Sequence, residues 1–212
     1  MTNLEHKPGD RIAEYVLLEK TGAGALGEVW KARLADAPYT VVALKIASDP
    51  ERFRDARSMG TQSLGLEHAA VVRTLKLDVA HDPPYAAMEW VEGRSLRQVM
   101  ASGRRLTVED ALETAGQVLE VLAYAHGRGV IHGNLKPENV LFENLAGAAG
   151  TYRVRVTDFG PGMVARTGAS PAGAGAAYLA PEQRQGEMLG VPADLYAVGV
   201  MLFETLTGRL PS

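Results

Sequence analysis

The most constraining stretch is a run of three glycines between two apolar, β-prone segments. Residues 12–20 (IAEYVLLEK) read as a strand, and Gly22-Ala23-Gly24-Ala25-Leu26-Gly27 follows directly. A G-x-G-x-x-G run alone is weakly specific, because dinucleotide-binding folds carry it too. Those folds enter a helix after the glycines. This chain continues Val29-Trp30-Lys31-Ala32-Arg33, which is β-prone and closed by a turn around residues 35–38. The pattern predicts strand, glycine turn, strand. A plain glycine-rich hairpin satisfies the same residues. No G-x-x-x-x-G-K-[ST] run occurs, so a P-loop has no support.

Residues 40–46 (TVVALKI) predict a strong strand that carries Lys45 among apolar neighbours. The ordinary explanation for such a lysine is a side chain that snorkels from a sheet edge. Ser48-Asp49-Pro50 supplies a cap and a first-turn proline, so a helix starts there and runs to about residues 64–66. Residues 71–79 and 85–91 read as two more strands, and 95–102 as a short helix. Thr107-Val108-Glu109-Asp110 is a capping-box-like start for a long helix ending near His126. Val108, Ala111, Leu112, Ala115, Val118, Leu119, Leu122 and Ala125 keep helical spacing on it and are expected in the core. His126 reads as a helix-end residue rather than a ligand. Residues 152–157 predict a strand. Residues 161–177 offer little to pack and are expected to be mobile. Residues 192–206 (PADLYAVGVMLFETL) predict an apolar helix.

Bulk properties exclude several classes. With 212 residues and 46% hydrophobic content the chain can bury a sizeable core, in one domain or two small lobes. A net charge of -3 with mixed signs gives no reason to expect a nucleic-acid partner. The basic runs at 52–57 and 104–105 read as solvated faces. Absence of cysteine rules out disulfides, a thiol nucleophile and cysteine-bound zinc, and fits a reducing compartment. No signal-peptide core or membrane-spanning apolar run is present, and the expected location is the cytoplasm.

Five motifs in one order then resemble the signature of protein kinases, and of bacterial Ser/Thr kinases in particular. They are the glycine run, Val42-Ala43-Leu44-Lys45, the stretch 130–142 (VIHGNLKPENVLF), Asp158-Phe159-Gly160 and Ala180-Pro181-Glu182. The resemblance spans roughly Gly9 to Ser212. It implies an α+β, bilobal protein-kinase-like fold. A flexible tail (1–10) precedes a small β-rich lobe (11–88), a hinge (89–93) and a mostly helical lobe (94–212). The second lobe is expected to stop after its αF-like helix at 192–206, without the helices that follow in the family. The resemblance places Gly22, Gly24 and Gly27 over ATP phosphates and Lys45 on the α and β phosphates. It makes Val29, Ala43, Met88 and Leu141 walls of an adenine site, with Met88 as gatekeeper and Glu89 to Val91 as hinge contacts. Asn139 and Asp158 become the Mg²⁺ residues, Lys136 the catalytic-loop lysine, and Asp194 the anchor of that loop.

Four positions depart from the pattern. Asn134 stands where the family places the aspartate that receives the substrate hydroxyl proton, and an amide oxygen has no useful basicity. Gly133 replaces the arginine that reads an activation-loop phosphate. Gly175 replaces the threonine that braces the base. Met59 replaces the glutamate that pairs with Lys45. General-base catalysis is typically worth about 10²–10⁴-fold, so transfer is expected to be strongly impaired rather than zero. The expectation is a pseudokinase that keeps an ATP–Mg²⁺ site and regulates a protein partner in signalling. The alternatives are a slow Ser/Thr kinase, with Thr167 or Ser170 as self-targets, and a nucleotide-free scaffold.

Overall fold

A computed structural model describes residues 6–24, 27–51, 53–54, 64–103, 105–144, 152–159, 174–187 and 189–211. The chain divides into two compact units, Met1–Ser58 with Arg73–Trp90, and Met59–Val72 with Val91–Ser212.

The first unit is a six-stranded antiparallel sheet. Its strands are β1 (Arg11–Ile12), β2 (Tyr15–Gly24), β3 (Gly27–Leu34), β4 (Val41–Ala47), β5 (Thr74–Asp78) and β6 (Tyr85–Glu89), in the order β1-β2-β3-β4-β6-β5. Side chains alternate between faces with a period of two. Leu17, Trp30, Ala32, Val42, Leu44, Ile46, Tyr85 and Ala87 form one continuous buried layer. The strand expected at 12–20 is divided, because the chain turns at Ala13 (φ 49°) and pairs Arg11 back onto Val16. The glycine turn joins β2 to β3 as expected, with Gly24 opposite Gly27. Gly27 is sterically obligatory: its φ is +150°, and a Cβ there would meet the Ile46 carbonyl oxygen at 1.8 Å.

Residues 6–10 are tied to this sheet, which their polar composition does not announce. The Gly9 N–H donates to the Leu17 carbonyl (2.8 Å), and the Leu17 N–H donates to the Asp10 carbonyl (2.9 Å). The predicted helix after Ser48 is seen at Pro50, Glu51, Phe53 and Arg54. Phe53 is fully buried there against Ala47 and Ala86. Met59 and most of that helix lie outside the described residues.

In the second unit, β7 (Gly93–Ser95), β8 (Val140–Asn144) and β9 (Tyr152–Val156) form a three-stranded sheet. The helices are α1 (Leu96–Ala101), α2 (Val108–His126), α3 (Pro181–Arg184) and α4 (Val191–Thr207). Ser95 caps α1 in a capping box with Gln98, and the Thr107 side chain accepts the Asp110 N–H at the start of α2. The core gathers Val118, Leu122, Val140, Val154, Val198 and Met201, among others. A β-rich first unit and a largely helical second unit make the α+β architecture that the sequence predicts.

Two elements differ from expectation. The strand expected at 71–79 begins only at Thr74. The Val72 N–H donates to the Val156 carbonyl (2.9 Å) and the Val156 N–H to the Ala70 carbonyl (2.7 Å), so this stretch is tied to β9 and Val71 joins the core of the second unit. Two β-branched residues announce a strand, but the choice of partner is non-local. On α2 the buried face runs through Ala111, Thr114, Val118, Val121, Leu122 and Ala125, while Val108, Leu112 and Leu119 are exposed on its shoulder. The stretch expected to be mobile at 161–177 lies outside the described residues up to 173. Its end joins a 3₁₀ helix at Ala174–Tyr178.

Helix α4 is polarised the unusual way round. Its only charged residues, Asp194 and Glu204, are buried, while Leu195, Tyr196, Phe203 and Leu206 are exposed. Buried charges are kept only when they are paired, and both carboxylates hold loops of the site described below.

Candidate active site

In the first unit, strand register gathers the predicted residues on the sheet face opposite the apolar layer. Val29 lies across from Lys45 and Gly22 across from Val29, while Ala43 lies across from Met88. Lys45 is buried, at 8% exposure, and has Ala86 as its other cross-strand neighbour. Gly22 and Gly24 behave unlike Gly27. A Cβ at either would meet no protein atom within 4 Å. Packing does not demand glycine at these two positions, and the bare backbone they present suits the close approach of a phosphate. Glu89 ends β6, where its carboxylate takes the Arg73 guanidinium at 3.3 Å.

The second unit holds the loop at 130–139 by several ties. The Asp194 carboxylate, 1% exposed, accepts from the Gly133 N–H (2.8 Å) and the His132 N–H (2.9 Å), and its Oδ2 lies 2.7 Å from His126 Nε2. The anchor expected at Asp194 is thus a three-partner site, and His126 is one of its partners rather than a mere helix end. His132 is fully buried, and burial lowers its pKa, favouring the neutral ring. Nε2–H then donates to the Thr157 carbonyl (3.0 Å), and Nδ1 accepts the Asn134 N–H (3.3 Å). The Phe159 ring packs 4.6 Å from His132.

Asn139 is buried and its Nδ2 donates to the Asn134 carbonyl (2.9 Å), while its own carbonyl accepts the Thr157 N–H (3.0 Å). These bonds bring Asn134, Asn139 and the strand end leading to Asp158 together. Asp158 has φ +63°, a strained conformation for a side chain other than glycine, and such strain concentrates at functional positions. Asp158 and the Asn139 amide oxygen are hard oxygen donors. That set suits Mg²⁺, which is usually bound by one or two carboxylates together with substrate phosphates. Leu141 lies between the buried Val140 and Phe142 and so faces away from the core. Val91 is buried in this unit.

Two ties escape sequence reasoning. Gln183 on α3 donates Nε2–H to the Gly133 carbonyl (2.8 Å), while its Oε1 accepts the Ala180 N–H (3.0 Å). Arg97 on α1 donates to Glu138 (3.1 Å) and Glu204 (2.9 Å), and also to the Tyr178 hydroxyl. That hydroxyl in turn donates to Glu204. Burial and the adjoining Glu204 carboxylate push the Tyr178 pKa up. This network fastens the Pro137–Asn139 turn, the end of the 3₁₀ helix and α4 to one guanidinium, a geometry that only arginine's rigid fork supplies.

The family model described as protein kinase domain matches residues 15–212. This chain belongs to the protein kinase domain family. The kinase domain is 30% identical over 212 residues to serine/threonine-protein kinase PrkC of Bacillus subtilis, covering 96% of this chain and 32% of that protein. It is 31% identical over 218 residues to PknB of Mycobacterium tuberculosis, covering 96% of this chain and 34% of that protein. The chain therefore spans about a third of the length of these curated relatives. Among solved structures it resembles a point mutant of the Mycobacterium tuberculosis PknI kinase domain, with a TM-score of 0.78 and 26% identity over 99% of this chain and 80% of that one.

Proposed function

We propose that this kinase domain is a pseudokinase: a module that keeps the elements for ATP–Mg²⁺ and acts by regulating a protein partner in the cytoplasm. Its lobes are taken as 11–88 and 94–212, joined by a hinge at 89–93. One observation carries the reading. Asn134 occupies the base position of a loop whose supports, Asp194, His132 and Asn139, are all in place. The loop is organised, yet the group that would receive the hydroxyl proton is an amide. Position 175 supports the same reading, since it offers no side chain to brace a base.

Gly22, Gly24, Gly27 and Lys45 are assigned to the phosphates, Val29, Ala43, Met88 and Leu141 to the adenine with Glu89 and Val91 as hinge contacts, and Asn139 and Asp158 to magnesium. Bound Mg²⁺ supplies charge neutralisation for the triphosphate. Phosphate transfer to itself and to generic protein substrates, with Asn134→Asp alongside, tests the proposal. Absent or slight turnover in the wild type supports it, and robust turnover that depends on Lys45 contradicts it.

A slow Ser/Thr kinase is the second reading, favoured by the left-handed backbone of Asp158 beside an anchored loop. Metal-dependent phosphorylation that disappears in Asp158→Ala supports it. A thermal shift with ATP and Mg²⁺ separates both readings from a nucleotide-free scaffold. Ligand at 100 times its dissociation constant adds about 2.7 kcal/mol.

A further inference from the structure

We propose that Asn134, Lys136 and Gly175 form a receptor for a phosphate monoester carried by a protein side chain, a phosphoserine or phosphothreonine of the partner. The inference rests on the reading of Asn134 as a residue that does not act as a base. It concerns binding only, with no bond made or broken.

Three observations carry it. Asn134 and Lys136 flank the buried Leu135, and Lys136 is extended (φ −163°, ψ 165°), so both side chains project to the side away from the core. Asn134 uses its backbone N–H and carbonyl to fix the loop, which leaves its side-chain amide to donate elsewhere. Lys136 has no ion-pair partner among the described residues. A Cβ at Gly175 would lie 3.9 Å from Lys136 Nζ, so position 175 borders the ammonium.

Charge follows from these placements. A carboxylate at position 134 would repel a phosphate dianion and neutralise Lys136. The amide removes that repulsion and adds N–H donors, while the ammonium supplies a point charge suited to phosphate. The substitution that removes a base therefore creates an anion site. Asp158 is an acidic group such a ligand must tolerate, since the neighbouring Thr157 N–H donates to the Asn139 carbonyl of the same loop (3.0 Å).

The test measures fluorescence anisotropy of degenerate peptides centred on phosphoserine or phosphothreonine against their unphosphorylated forms, with magnesium chloride and no nucleotide. The phosphorylated forms are expected to bind about tenfold tighter or better, the size of one charge-assisted contact. Asn134→Asp removes that preference. Gly175→Asp removes it as well by placing a carboxylate beside Lys136, whereas Gly175→Ser keeps it. Thermal melts establish that each variant is folded, and Gly175 has no left-handed backbone that would strain a side chain.

Equal binding of both peptide forms by the wild type overturns the proposal, as does a preference that survives Asn134→Asp. Inorganic phosphate competing as well as the phosphopeptide overturns the assignment to a protein side chain. Phosphate transfer is a separate readout. Wild-type turnover defeats the reading of Asn134, whereas loss of peptide preference without turnover defeats only the receptor.

Discussion

The Gly133 N–H donates to Asp194 Oδ1 at 2.8 Å from a residue whose φ is +71°. The arginine expected here would have to adopt the left-handed backbone, which costs a side-chain-bearing residue about 1–2 kcal/mol. Glycine at 133 thus relaxes the loop. Gly133→Ala and Gly133→Arg are each expected to lower unfolding free energy by about 1 kcal/mol in denaturant titration. Neither should create phosphate transfer.

Asp194 carries a larger share of the fold. Removing its carboxylate leaves two backbone N–H groups and the His126 ring without their acceptor in a buried site. Each orphaned group costs about 1–3 kcal/mol. Asp194→Ala is therefore expected to lose more than about 3 kcal/mol, measured by chemical denaturation, and to release the loop to fast amide exchange. Unchanged stability would contradict the anchoring described.

The glycines separate packing from binding. Gly27→Ala meets the Ile46 carbonyl and should destabilise the first unit by about 1–3 kcal/mol, as an overpacked site does. Gly22→Ala and Gly24→Ala should stay within about 0.5 kcal/mol of the wild type, as surface changes do. Their effect should appear instead as a smaller thermal shift with ATP and Mg²⁺. If they destabilise as Gly27→Ala does, packing rather than ligand approach dictates glycine at both positions.

Burial of His132 predicts a pH dependence. The folded-state pKa lies below the ordinary value of 6.5, so the unfolded chain binds the extra proton as the pH falls. Stability is complete above 6.5 and declines below it, by at most about 1.4 kcal/mol per pH unit. Unfolding curves between pH 7.5 and pH 5, each about half a unit apart, should show this slope in the wild type and less of it in His132→Gln.

Local pattern made the glycine hairpin, Lys45, the loop at 130–142 and the helix at 191–207 legible, because each is announced by neighbours in the sequence. The ties that organise the site are not local. Arg97 reaches Glu204 across 107 positions, His126 reaches Asp194 across 68 and Gln183 reaches Gly133 across 50. No periodicity in the chain marks them. The two buried carboxylates of α4 did leave a trace, as the only charges in an otherwise apolar helix. Val71 and Val72 show the opposite limit: their β character was readable, while the strand they join was not.

The central claim concerns the amide of Asn134, and phosphate transfer measured side by side for the wild type and Asn134→Asp tests it most directly. Wild-type transfer at background level, with any gain confined to Asn134→Asp, is the predicted result. Rapid wild-type transfer that vanishes in Lys45→Met would contradict the account.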